Sequence, residues 1–104
     1  MKTNTQQCCS FTSSLTKEEL KEQMHKLPSG WKVIENHHLE KEYSFKDFAQ
    51  ALAFTNKVGA LAEKENHHPD IYLAWGKVKI TFWTHSVQGL TVRDFDLAHK
   101  CDQL

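Results

Sequence analysis

Val78, Ile80 and Phe82 alternate with Lys77, Lys79 and Thr81 along "KVKITFWTH". Alternation of period two marks a strand with one buried face and one wet face. Trp83 and His85 continue the polar side, which places His85 off the main core beside a large ring. The run "IYLAW" precedes this strand, and Gly76 in "AWGK" supplies permissive backbone for a turn between them. With residues 74 and 77 flanking the turn, the numbers of paired residues sum to about 151. "WKVIENHHLEKEYSF" reads as an earlier hairpin turning near Asn36 to His38.

Between these strands the apolar spacing lengthens to the helical period. Thr16–Glu19, Ser44–Asp47 and Thr91–Asp94 each place a hydroxyl three residues before a carboxylate, the signature of a capping box or its Asp variant. The first helix is expected from Lys17 to about Leu27, stopping at "PSG". The second is expected from Phe45, with Phe45, Phe48, Ala49, Leu52, Ala53 and Leu61 as its apolar stripe. The third starts near Val92, with Phe95 and Leu97 as anchors. The order is helix, two strands, helix, two strands, helix. Short turns require antiparallel pairing, so the expected class is α+β, a four-stranded antiparallel sheet with three helices packed on one face.

Composition narrows the function classes. The 104 residues are 39% hydrophobic and 25% charged, as in an ordinary globular domain. Residues 15–104 are read as one domain behind a flexible, Ser/Thr/Gln-rich tail at residues 1–14. Thirteen basic and thirteen acidic residues cancel, which recommends neither nucleic acid nor an anionic membrane as partner. No apolar run approaches the ~20 residues of a membrane span. The first residues lack the apolar centre of a secretory signal. Cys8, Cys9 and Cys101 form no disulfide framework and fit a reducing, cytoplasmic setting, with Cys8 and Cys9 as bystanders.

Candidate chemistry lies between Glu63 and His85. Pro69 disfavours helical backbone at His68 and ends the second helix near Asn66 or His67. The hairpin register brings His85 opposite residue 66 or 67, so His67, His68 and His85 converge. Glu63, one helical turn before His67, is expected to fix that ring's tautomer or favour its protonated form. On the residues alone three readings stay open. The histidines are partly exposed polar residues at a loop, which is the reading given to His25, His37, His38 and His99. Or they bind metal, although neither His-x-x-x-His nor Cys-x-x-Cys spacing occurs. Or they perform general acid/base catalysis, for which imidazole is suited near neutral pH.

Glu63, His67, His68, Pro69, Trp75, His85 and Asp94, together with "GW" at Gly30–Trp31, "FKDF" at Phe45–Phe48, "THS" and "GLT-RD", carry a resemblance. Over roughly residues 15–100 the chain resembles the pterin-4a-carbinolamine dehydratases, a family also called dimerisation cofactor of a homeodomain transcription factor. The resemblance implies a four-stranded antiparallel sheet with helices on one side. It implies dehydration of 4a-hydroxytetrahydropterin to quinonoid dihydropterin, in recycling of the pterin spent by aromatic amino acid hydroxylases. Neither metal nor organic cofactor is implied. His67, His68 and His85 become the catalytic cluster, supported by Glu63 and Asp94. Pro69, Thr84, Ser86 and Val87 line the pterin site, and Asn66 stands where some members carry aspartate. Trp31 and Trp83 each have two readings, stacking on the pterin or packing in the interior. Trp83 on the outer sheet face and a sparsely anchored last helix agree with the homodimer or homotetramer of that family. The alternative is a non-catalytic module that stabilises a partner protein such as a transcription factor.

Overall fold

The computed structural model describes residues 13–104. It runs α1 (Lys17–Lys26), β1 (Lys32–Ile34), β2 (His38–Ser44), α2 (Phe48–Glu65), β3 (Asp70–Ala74), β4 (Lys77–Phe82) and α3 (Val92–Cys101). A single 3₁₀ turn, His85–Val87, lies between β4 and α3. Cys8, Cys9 and all of the expected tail except Ser13 and Ser14 lie outside the described residues. No helix among the described residues is long and apolar enough to cross a membrane.

The sheet has the order β1-β2-β4-β3 and is antiparallel throughout. The second hairpin adopts the expected register: Ala74 faces Lys77, Leu73 faces Val78 and Asp70 faces Thr81. Gly76 serves that turn differently from expectation, because its backbone is not left-handed. A Cβ there would come within 2.9 Å of the Phe45 carbonyl oxygen, and the Phe45 amide donates to Gly76 O at 2.8 Å. The glycine therefore permits close approach of two backbones.

Leu39, Val78, Ile80 and Phe82 form the buried sheet face, packed against Leu20 of α1, Ala51, Phe54 and Val58 of α2, and Phe95 and Leu97 of α3. Each large side chain so buried contributes about 1.5–3 kcal/mol. All three helices thus cover one face of the sheet.

Both features expected of α2 need correction. Ser44 stays in β2, opposite Lys77, so the helix begins later. Asp47 is the N-cap and accepts the Gln50 amide at 2.9 Å, while Gln50 Oε1 accepts the Lys46 amide at 3.2 Å. Aspartate is itself a strong cap, and Ser44 is committed to the sheet. The buried stripe is Ala51, Phe54, Val58 and Ala62, and Phe48 and Leu52 are 43% and 41% exposed. The sequence carries two apolar rows on this helix. The sheet takes the row of Ala51, Phe54, Val58 and Ala62, and of the other row only Phe45 and Leu61 pack partly against the core.

The other two caps form as expected. Thr16 and Glu19 exchange hydrogen bonds at the start of α1, and Asp94 accepts the Thr91 amide at the start of α3. At the far end of α3, Asp102 accepts from Trp31 Nε1 (2.8 Å), Lys41 Nζ (2.7 Å) and Tyr43 Oη (2.6 Å). Burial works to raise the Asp102 pKa, but the hydrogen bonds from Lys41, Tyr43 and Trp31 and the charge on Lys41 outweigh it and hold it below its usual value. Burial, with Asp102 beside it, pushes the Tyr43 phenol far upward, and burial pushes the Cys101 thiol up to about 12.

Candidate active site

The junction between α2 and β3 is shaped by how the helix stops. Asn66 adopts the left-handed conformation (φ 54), its amide reaches back to Glu63 O, and the His67 amide reaches Ala62 O. This is the Schellman arrangement, in which asparagine is one of the few side-chain-bearing residues that tolerate the left-handed position. Pro69 follows and prevents the helix from resuming. From α3, Arg93 donates to Glu65 O and Lys100 binds the Glu65 carboxylate at 3.1 Å, placing cations at the negative end of α2.

Leaving the helix turns His67 away from Glu63, which corrects the expected pairing. His67 is 9% exposed, and its Nε2 lies 2.7 Å from Oδ1 of Asp94, a residue with no exposed surface. Glu63 instead meets His68, Oε2 to Nε2 at 2.5 Å, with both side chains largely in solvent. The i,i+4 relation on which the expectation rested holds only while both residues are helical, and α2 ends at Glu65.

Proton counting fixes the network around Asp94. As a carboxylate it only accepts, so His67 Nε2, Thr84 Oγ1 (2.7 Å) and the Thr91 amide (3.0 Å) are its donors. Thr84 spends its single proton there, so Thr91 Oγ1 donates in the 2.9 Å bond between the two hydroxyls. His67 therefore carries hydrogen on Nε2. Its Nδ1 has no hydrogen-bond partner among the described residues.

His85 arrives by another route than strand extension. β4 ends at Phe82, and Thr84 pairs with Gly89 across a small loop containing the 3₁₀ turn. His85 opens that turn and is exposed, with its ring stacked on Trp83 at 3.9 Å between centroids and 22° between planes.

A cleft of about 490 Å³ joins these elements. The α2–β3 junction contributes Asn66, His67, His68, Pro69 and Asp70, and the segment after β4 contributes Trp83, Thr84, His85 and Ser86. Among the expected site residues, four do not line it directly. Glu63 and Asp94 reach it through His68 and His67. Val87 is half-buried within the turn. Trp31 is elsewhere: it is 4% exposed, packed edge-on to Tyr43 and tied to Asp102, so its indole is a core ring. Trp83, the other ring considered for stacking, does line the cleft; Asp70 was not singled out by the sequence, although it directly follows the His-His-Pro run. His25 and His99 are exposed as expected, but on helices, whereas the ring of His37 lies 4.5 Å from that of Trp83. Among the described residues, no three His, Cys, Asp or Glu side chains are grouped to hold a metal ion.

A buried carboxylate–imidazole pair, two exposed imidazoles and an open cleft are the equipment for moving protons on a bound molecule. Comparison with known proteins agrees in kind. The profile of the family described as pterin 4 alpha carbinolamine dehydratase matches residues 13–104. A protein of Alkaliphilus metalliredigens that carries the name pterin-4-alpha-carbinolamine dehydratase is 51% identical over 96 residues, covering 92% of this chain and 86% of that one. The crystal structure of a transcriptional coactivator/pterin dehydratase from Brucella melitensis superposes with TM-score 0.81 at 33% identity, over 88% of this chain and 97% of that one. A pterin dehydratase-like protein identified as a RuBisCO assembly factor in the alpha-carboxysome gives 0.63 at 26% identity, over 71% and 87%.

Proposed function

The chain belongs to the pterin 4 alpha carbinolamine dehydratase family, and on that premise we propose that His67, His68 and His85 carry out the dehydration of pterin-4a-carbinolamine in the cleft they share. The enzyme is a hydro-lyase: the C4a–O bond of 4a-hydroxytetrahydropterin breaks, N5 loses its proton, and the C4a=N5 bond of quinonoid dihydropterin forms as water leaves. We assign this step to regeneration of the pterin used by aromatic amino acid hydroxylases.

The observation that carries the assignment of roles is the buried His67–Asp94 pair. With Nε2–H held by Asp94, the free Nδ1 of His67 is suited to take the N5 proton, and the imidazolium so formed faces a carboxylate. His68 and His85 lie on the solvent side, where a proton given to the departing oxygen is readily replaced. Each proton transfer contributes roughly 10²–10⁴-fold. Turnover of freshly generated 4a-hydroxytetrahydropterin, followed by ultraviolet absorbance with chelator present, tests this. Wild type is expected to be active, and folded His67→Ala and His85→Ala variants to lose activity by about that factor. A folded wild type without turnover would favour the partner-stabilising module instead.

We further propose a homo-oligomer built on α2. Trp83 and α3 do not supply the contact, since Trp83 packs against His37 and His85 within the chain and α3 buries five residues. Phe48 and Leu52, one turn apart and exposed, fit a second copy of the chain better. A monomeric mass by light scattering at micromolar concentration would refute this.

A further inference from the structure

Each of the three cleft histidines needs its ring held, and the means differ. His67 has Asp94 and His68 has Glu63. The ring of His85 has no hydrogen-bond partner among the described residues, and it lies instead on Trp83. His37 also packs against Trp83, at 4.5 Å between centroids and 42° between planes.

The first hairpin turn brings His37 there. Leu39 faces Phe82, so His38 and Trp83 follow at the next position along the outer sheet face. Glu35 and Asn36 are both left-handed (φ 53 and 55), and the His37 amide donates to Ile34 O at 2.9 Å, folding His37 back towards that face. His37 Nδ1 lies 3.2 Å from His38 Nδ1, which fixes the His37 ring against its neighbour.

We propose that Trp83 is a positioning residue for His85, itself held by its packing against His37, so that the β1–β2 turn is part of the catalytic apparatus without touching substrate. This rests on the dehydratase reading above. A ring misplaced by about 1 Å can cost on the order of 100-fold in rate, and the loss falls on the chemical step because substrate binding is not what Trp83 provides.

Two measurements test it on the full chain. In steady-state kinetics, Trp83→Leu is expected to lower kcat about ten- to hundred-fold with KM within about two-fold, and Trp83→Phe to restore most of the loss. His37→Ala is expected to lower kcat less, and His37→Phe to recover it. By NMR of histidine-labelled protein without substrate, the His85 ring protons are expected to be displaced by the indole ring current, and Trp83→Leu to abolish the displacement. A rise in KM at unchanged kcat would make Trp83 a substrate contact and overturn the proposal, as would unchanged kinetics in folded Trp83→Leu. A wild type with no turnover would sink the dehydratase reading and the kinetic half of the proposal together. The ring signals would then still decide whether Trp83 holds His85.

Discussion

Asp94 and Asp102 flank α3 near its two ends, and each accepts three hydrogen bonds. Asp94 sits in the first turn, where the helix dipole favours negative charge; Asp102 sits at the C-terminal cap, where it does not. The donors differ more than the helix ends do. Trp31 and Tyr43 are core rings and Lys41 lies between them, so the Asp102 network ends in packing. Behind Asp94 stands His67, which lines the cleft and keeps a second nitrogen for it. A well-satisfied buried carboxylate is thus not by itself a functional one; what its donors can reach on their other side decides.

Replacing each aspartate should separate the two cases. Asp94→Asn substitutes a donor for one of two accepting oxygens, so either His67 or the Thr84–Thr91 pair loses its partner. Turnover is expected to fall about 10²–10⁴-fold in a protein that remains folded by circular dichroism. Near-wild-type turnover would dissolve the distinction. Asp102→Ala leaves Tyr43 and Trp31 without an acceptor and Lys41 unpaired. About 2–4 kcal/mol of stability should be lost in urea unfolding, with turnover per folded molecule within about two-fold of wild type.

The smaller effect is one of pH. The Asp102 carboxyl is held below its usual value in the folded chain, so its contribution is complete above the unfolded pKa of ~3.9 and disappears as pH falls through the folded value. The stability difference between wild type and Asp102→Ala should therefore narrow between neutral pH and pH of about 3. A difference that widens in acid would mean that Asp102 is not stabilised as an anion.

Local chemistry made much of this legible in advance. Alternation in β4 and the two-residue turn at Trp75–Gly76 fix the register of the second hairpin without reference to the rest of the molecule. Thr16 and Thr91 are free to cap because neither belongs to a strand, whereas Ser44 already has a place in one formed with residues more than thirty positions away. The buried side of α2 was misread for a related reason: two apolar rows compete, and only the sheet selects between them. At the site, the placing of His67 and His68 beside the end of β4 follows from the Pro69 stop and the hairpin, whereas His85 comes in through the turn after β4. The partner of His67 does not, since Asp94 lies twenty-seven residues on and meets it only once α3 has packed. His37 and His38 are partly exposed, as read, but the packing of His37 on Trp83 was hidden because the sequence cannot show that β2 lies beside β4.

That central seam has a consequence for how the molecule comes together in time. Each hairpin closes within a short piece of chain, but β2 and β4 are separated by all of α2 and β3. Joining them is the slow, long-range event, because the intervening chain must be ordered before the seam returns any stabilisation. His37 reaches Trp83 only across this seam. The packing of His37 on Trp83 therefore depends on that long-range pairing, and either hairpin alone would leave it unmade.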